Sequence, residues 1–297
     1  MITLDFLISA ISLGSLYALI ALGLVIVYGI LKLVNFAYGE LIMIAGYTLF
    51  VLSGFSSLAW LIMAIVAVIA AMATSYMTEL VAFRPVRTKS LTAMLITSFA
   101  VSTLLQNAAV LIISPRARPV PLPEVFDQSV HIFGADVPVR NILIIVSTVL
   151  LLALFTLLLR KTVLGMALRA ASDNFRMTRM LGVSANLVIS VAFVISGFFA
   201  GVASLFWVGR AASVTPTIGG APLLIAFVAT VIGGMRSLEG AVVGGYVYGI
   251  VYSLLSLLLP QYLLDYREAF MFLIVILILL FRPEGLIRAN VTPERVG

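Results

Sequence analysis

The stretch from Phe6 to Ile30 reads FLISAISLGSLYALIALGLVIVYGI and contains no charged side chain. A helix of roughly 20 apolar residues crosses a hydrocarbon core about 30 Å thick. The run is therefore long enough to span a bilayer, and too long for the apolar core of a cleavable leader, which is about 7–15 residues. It is expected to remain in the protein as a first span. Further apolar runs, bounded by charge, Gly or Pro, follow at 41–54, 58–82, 91–113, 141–159, 187–208, 223–235, 241–259 and 268–281. The expected fold class is all-α, a polytopic transmembrane helical bundle of about eight or nine spans.

Composition points the same way. Of the 297 residues, 63% are hydrophobic and 10% charged, against roughly 45–50% and about 25% in soluble domains. The excess of 18 Lys and Arg over 12 Asp and Glu lies in the gaps between apolar runs. It forms no basic stripe interleaved with aromatics, which argues against nucleic acid as a partner. Cysteine is absent and His131 is the one histidine, so neither a thiolate site nor a convergent metal-ligand set is expected. No cofactor is called for.

Lys and Arg gather on the cytoplasmic side of membrane proteins. Arg84, Arg87 and Lys89 form one cluster, Arg160, Lys161, Arg169, Arg176 and Arg179 a second, and Arg282, Arg288 and Arg295 a third. With these inside, together with Lys32 and Arg236, only Arg116, Arg118, Arg140, Arg210 and Arg267 remain outside. Nine crossings then place the N-terminus outside and the C-terminus in the cytoplasm.

The runs 41–54 and 223–235 are shorter than a full span, and glycines lie in and around them: Gly39, Gly46 and Gly54 by the first, Gly219, Gly220, Gly233 and Gly234 by the second. Each is expected to be a half-helix or re-entrant element, which is allowed where protein or a cavity satisfies the backbone. Each follows a long helix and precedes two more, in opposite orientation. That order is an inverted repeat with 141–159 as its connector.

The link before the first short run holds Asn35, Phe36, Tyr38, Gly39 and Glu40. Polar groups beside an embedded turn must face protein or water. They fit a wall or gate of a translocation path, and equally an interfacial loop with Gly39 turning the chain and Glu40 favouring a helix N-terminus. The matching second link contains Thr215, Pro216, Thr217, Gly219 and Gly220. Pro and paired glycines free backbone groups there to meet a zwitterion, or simply form a wet external loop. Gly197 and Gly201, with Gly240, Gly244, Gly245 and Gly249, lie in small-xxx-small stripes that favour close helix packing.

Residues 165–186 form the most informative soluble piece. Gly165, Arg169, Ala170, Ala171, Asp173, Arg176, Arg179 and Gly182 alternate there with Met166, Leu168, Met177, Met180 and Leu181. Two short helices broken near Asp173 and Asn174, with Gly182 as a C-cap, are expected. Such helices suit a membrane surface or the groove of a soluble motor.

The chain contains no GxxxxGK[ST] phosphate loop, so it is not itself a P-loop ATPase, and no nucleophile or acid–base constellation marks it as an enzyme. Only Glu40, Glu79 and Glu239 approach membrane depth, all near the ends of apolar runs. A proton-coupled carrier would need an intramembrane relay, so a passive pathway driven from outside the chain is expected.

At these segments the sequence resembles the permease subunits of branched-chain amino-acid ABC importers of the LivH type. The resemblance rests on Tyr17–Gly23, Val34–Glu40, Phe83–Arg87, Gly165–Ala170, Leu181–Val183, Ile232–Ala241 and Phe281–Leu286, in order along the whole chain. Tyr38 stands where the family usually carries His. The resemblance implies a single permease domain over residues 1–297 in the bacterial cytoplasmic (inner) membrane, paired with a second homologous permease, two cytoplasmic ATP-binding subunits and a periplasmic solute-binding protein. It also implies that 165–186 couples to an ATPase subunit and that branched-chain or related small amino acids are carried, with urea and short amides as alternatives. A stand-alone channel, a secondary carrier or a purely structural subunit are the rival readings.

Overall fold

In the computed structural model, residues 4–55, 59–123, 126, 128–132, 135–173, 175–180, 182–235, 237–283 and 285–287 are described. Among the described residues, six helices are long and apolar enough to cross a membrane. They are α1 (Leu4–Leu31), α3 (Trp60–Thr78, continued through a wider turn, Glu79–Phe83, into α4, Arg84–Val86), α5 (Leu91–Ile112), α6 (Val139–Lys161), α9 (Ala185–Ala211) and α11 (Leu238–Leu258). Shorter apolar helices are α2 (Tyr38–Ser53), α10 (Gly220–Gly233) and α12 (Arg267–Phe281). The chain is a polytopic helical membrane protein, as the apolar runs require.

Hydropathy alone does not say which of these helices meets lipid. The richest window of α6 has mean hydropathy 3.0 and is 22% buried, whereas that of α1 has 2.4 and is 89% buried. The difference lies in side-chain size. The α6 sequence is a ridge of Leu, Ile and Val, but α1 carries Gly14, Ser15, Ala18 and Gly23, which let other backbones come close. A Cβ added at Gly245 or Gly249 of α11 would strike the α1 backbone at Ala18 or Gly14. The same arrangement recurs between α9 and α3, where a Cβ at Gly197 would lie 2.8 Å from the Ala71 carbonyl and one at Gly201 2.9 Å from the Val68 Cα. Gly240 and Gly244 pack against Gly233 and Ala229 of α10. Each half thus lends its first helix to the third helix of the other half, the contact pattern of an inverted repeat.

The two helix ends of the bundle differ in charge. Arg87, Thr88 and Ser184 share one cavity, Arg160, Arg169 and Glu239 another, and Lys32 Nζ donates to the Ser172 carbonyl at 2.9 Å. Leu286 N and Ile287 N bond to the carbonyls of Ile232 and Gly233. The basic segments therefore share one end, with Arg236, Arg288 and Arg295 outside the described residues. At the other end β1 (Arg118–Pro119) pairs antiparallel with β4 (Ser213–Val214), and β2 (Ser129–Ile132) with β3 (Ala135–Pro138).

A buried ion cluster closes the basic end of α3. Glu79, fully buried, accepts from Arg84 Nε and Arg87 at 3.4 Å each and from Ser190 Oγ at 2.8 Å. Glu79 is the desolvated member, and the two partly exposed arginines compensate its buried charge. Pro85 lacks the N–H a helix needs there; in the widened turn before it, Arg84 N reaches the Glu79 carbonyl.

Candidate functional site

At 1.5 Å per residue, the 16 residues of α2 and the 14 of α10 reach only about 24 Å and 21 Å, short of a core about 30 Å thick. Both helices begin inside the bundle. Tyr38 at the start of α2 donates from its hydroxyl to the Ile20 carbonyl at 2.9 Å, well within α1. A Cβ at Gly39 would strike the Gly219 carbonyl, and one at Gly219 the Gly39 carbonyl. The two half-helices therefore meet N-terminus to N-terminus. A Cβ at Gly46 would lie 3.1 Å from Val214, so the turns that follow Val214 run beside α2 to reach Gly39.

One expectation needs correcting here. Tyr38, Gly39 and Glu40 are not loop residues before a helix at 41, and Gly220 does not precede one at 223; all are in the first turns of α2 and α10. Pro222 is compatible with an early helical position, where an N–H has no intrahelical partner in any case.

The first link is tightly held. Asn35 Oδ1 accepts from Ala37 N at 3.1 Å, and the Asn35 carbonyl accepts from Tyr38 N at 3.1 Å. Phe36 stacks on Phe99 of α5 with centroids 4.0 Å apart. Tyr38 is completely buried and its hydroxyl occupies the space a side chain at Gly23 would need. Glu40, 1% exposed, reaches across to α5, where its Oε1 accepts from Ser102 Oγ at 2.9 Å and Gln106 Nε2 at 2.7 Å. Its Oε2 is buried with no partner among the described residues, a state that costs about 1–3 kcal/mol.

Ser102 and Gln106 fall in the middle of α5, so Glu40 lies at mid-span. It lies at a helix end, as expected, and the half-helix carries that end into the interior of the bundle. Neither α5 residue was singled out by sequence; the signal available was polar residues Ser102, Thr103, Gln106 and Asn107 inside an otherwise apolar span.

The second link is held by backbone turns: Ile218 N to the Thr215 carbonyl at 3.2 Å and Gly220 N to the Thr217 carbonyl at 3.1 Å. Gly219 joins the first link, whereas Thr217 is exposed and Gly220 would admit a Cβ into open space. On the basic side of the bundle, a cavity of about 610 Å³ is lined by Ile30, Leu31, Met94, Ile189, Arg87 and Asn186.

The soluble segment forms α7 (Val163–Asp173) and α8 (Phe175–Met180). Leu168 and Ala171 are buried against the bundle, while Val163, Met166, Met177 and Met180 are exposed. Arg169 and Ala170 are exposed too. Gly165 is packed too closely against Leu158 and Leu159 to admit a Cβ, and Gly182 has φ +86°. Asn174 and Leu181, and the side chains of Asp173, Arg176 and Arg179, lie outside the described residues.

Residues 6–280 match the family model described as branched-chain amino acid transport system / permease component. The chain is 34% identical over 293 residues to the high-affinity branched-chain amino acid transport system permease protein BraD of Pseudomonas aeruginosa, covering 95% of this chain and 94% of that protein. It is 33% identical over 292 residues to the corresponding protein LivH of Escherichia coli K12 (94% and 93% covered). A probable LivH of Methanocaldococcus jannaschii is 29% identical over 290 residues (93% and 90%). No solved structure matches.

Proposed function

This chain belongs to the family of the branched-chain amino acid transport system permease component, and on that premise we propose that it forms the inner-membrane path of an ABC importer for branched-chain amino acids. The supporting observation is the meeting of α2 and α10 at Gly39 and Gly219. Two positive helix ends suit a carboxylate, and inverted half-helices allow a path to open alternately to either side. The Asn35–Glu40 and Thr215–Gly220 links line that path, and the 610 Å³ cavity is its cytoplasmic mouth. The basic end faces the cytoplasm, with the N-terminus outside.

The chain is not an enzyme in this reading. Two separate ATP-binding subunits hydrolyse ATP, a second homologous permease completes the path, and a periplasmic solute-binding protein delivers substrate. Residues 165–186 couple to the ATPase through the exposed Met166, Arg169, Ala170, Met177 and Met180, while Gly182 holds a left-handed turn that a β-branched residue strains. The whole chain acts as one domain.

The test is purification with its partners and reconstitution in liposomes. Uptake of radiolabelled leucine should require ATP and the solute-binding protein; uptake of urea in place of leucine, or ATP-independent uptake, would defeat the reading. Ala170→Glu and Gly182→Val should each leave the helices inserted but reduce uptake per ATP hydrolysed by about tenfold, a coupling loss of some 1.4 kcal/mol.

A further inference from the structure

Glu40 is not placed as a helix cap. A glutamate in the first turn of α2 could reach back to free N–H groups. Its Oε1 instead spans to Ser102 and Gln106 on α5, while Ala37 N at the N-cap is already taken by Asn35 Oδ1. Nor does tethering α2 to α5 require a carboxylate, since one acceptor oxygen serves both donors and a glutamine would supply it. What the carboxylate adds is Oε2, buried and without a partner among the described residues, on a side chain 1% exposed. Phe99, Ser102 and Gln106 recur at three and four residues and so share one face of α5. Phe99 is 52% exposed and Ser102 and Gln106 are partly so, so that face of α5 runs from the buried carboxylate to the outer surface of the chain.

We propose that Glu40 Oε2 receives an N–H donor of the transported molecule, the α-ammonium of an amino acid, with the Phe36–Phe99 stack as the adjoining aromatic wall. The inference rests on the proposed function and deepens it by assigning the path a polarity: the carboxylate end of the substrate toward the half-helix N-termini, the nitrogen end toward Glu40. A charged donor against a carboxylate forms a stronger hydrogen bond than a neutral pair, and a cation also favours the faces of aromatic rings. A neutral amide nitrogen could use the same acceptor, so the experiment must tell the two sources apart.

The complete complex in liposomes is assayed with radiolabelled leucine and radiolabelled urea in parallel, which identifies the nitrogen that reaches the site. Glu40→Gln keeps an oxygen for Ser102 and Gln106 but turns the free acceptor into a donor. Uptake should fall by about tenfold or more, the scale of a lost hydrogen bond to a charged group, with assembly and ATP hydrolysis unchanged. The Ser102→Ala/Gln106→Leu double variant loosens the tether and keeps the carboxylate; uptake should fall clearly less than in Glu40→Gln, because neither side chain bonds the transported molecule. Unchanged uptake by Glu40→Gln overturns the inference. So does an equal loss in both variants, which makes Glu40 a tether, or release of the second permease from the Glu40→Gln complex, which makes Oε2 a subunit contact. Wild-type failure to take up leucine is a failure of the proposed function, whereas normal wild-type uptake that Glu40→Gln leaves intact is a failure of this inference alone.

Discussion

The two half-helices reach the same place by opposite means. The α2 entrance is furnished with side chains, each tied to a different element: Tyr38 to α1, Glu40 to α5, Phe36 to Phe99. The α10 entrance is bare, a run of backbone turns ending in Gly219 and Gly220. The contrast shows that pseudo-symmetry in the backbone need not extend to chemistry. If these entrances line the proposed path, its substrate would be recognised by the side chains of the first and accommodated by the bare backbone of the second.

The comparison is easiest to break at the point of contact. Gly39→Val and Gly219→Val each drive a side chain into the opposing backbone, where nothing can turn aside; each should cost about 3 kcal/mol, the upper end for over-packing, and abolish transport. Gly220→Val, one residue along, meets open space and should retain most transport. A thermal-unfolding series in detergent beside an uptake assay decides it, and equal damage at 219 and 220 would show the second wall to be as tight as the first.

A smaller effect sharpens the account of the furnished wall. Gly23→Ala places a methyl on the Tyr38 ring and hydroxyl and should cost about 2 kcal/mol; adding Tyr38→Phe, which removes the hydroxyl, should restore part of it. A double-mutant cycle with no coupling would contradict the contact. Tyr38→Phe by itself forfeits one hydrogen bond, worth about 1 kcal/mol, visible as a shift in denaturation midpoint. On the bare wall, Thr217→Ala at an exposed position should change stability by no more than about 0.5 kcal/mol, and a larger loss would reveal an anchoring role that the geometry does not show.

Much of this was legible in the sequence because apolar runs announce helices regardless of tertiary context. The long spans lie within a few residues of their expected bounds, and the shortness of 41–54 and 223–235 together with their glycines marked both half-helices. What escaped was the set of partners. Glu40 reads as a helix-end residue beside an embedded turn, but its bonds to Ser102 and Gln106 of α5 are not legible in its own segment. Glu79 was similarly passed over, because its partners Arg84, Arg87 and Ser190 include a residue more than a hundred positions away. Pairings across helices are set by packing, which a single span does not encode. The exchange of α1 and α9 between halves was foreshadowed only by small residues, whose partners could not be named.

That exchange governs how the protein can be made. A membrane protein is threaded from its N-terminus, and domains ordinarily fold as they emerge. Here α3 is complete long before α9 arrives to fill the groove at Val68, Ala71 and Ser75, and α1 waits longer still for Gly245 and Gly249 of α11. The nascent first half therefore lacks the helices that cover Val68, Ala71 and Ser75 on α3 and Gly14 and Ala18 on α1 until the second half is synthesised. Co-expression of separate halves should thus yield a working protein only when both are present in the membrane together, and a first half made alone should be a substrate for quality-control proteolysis.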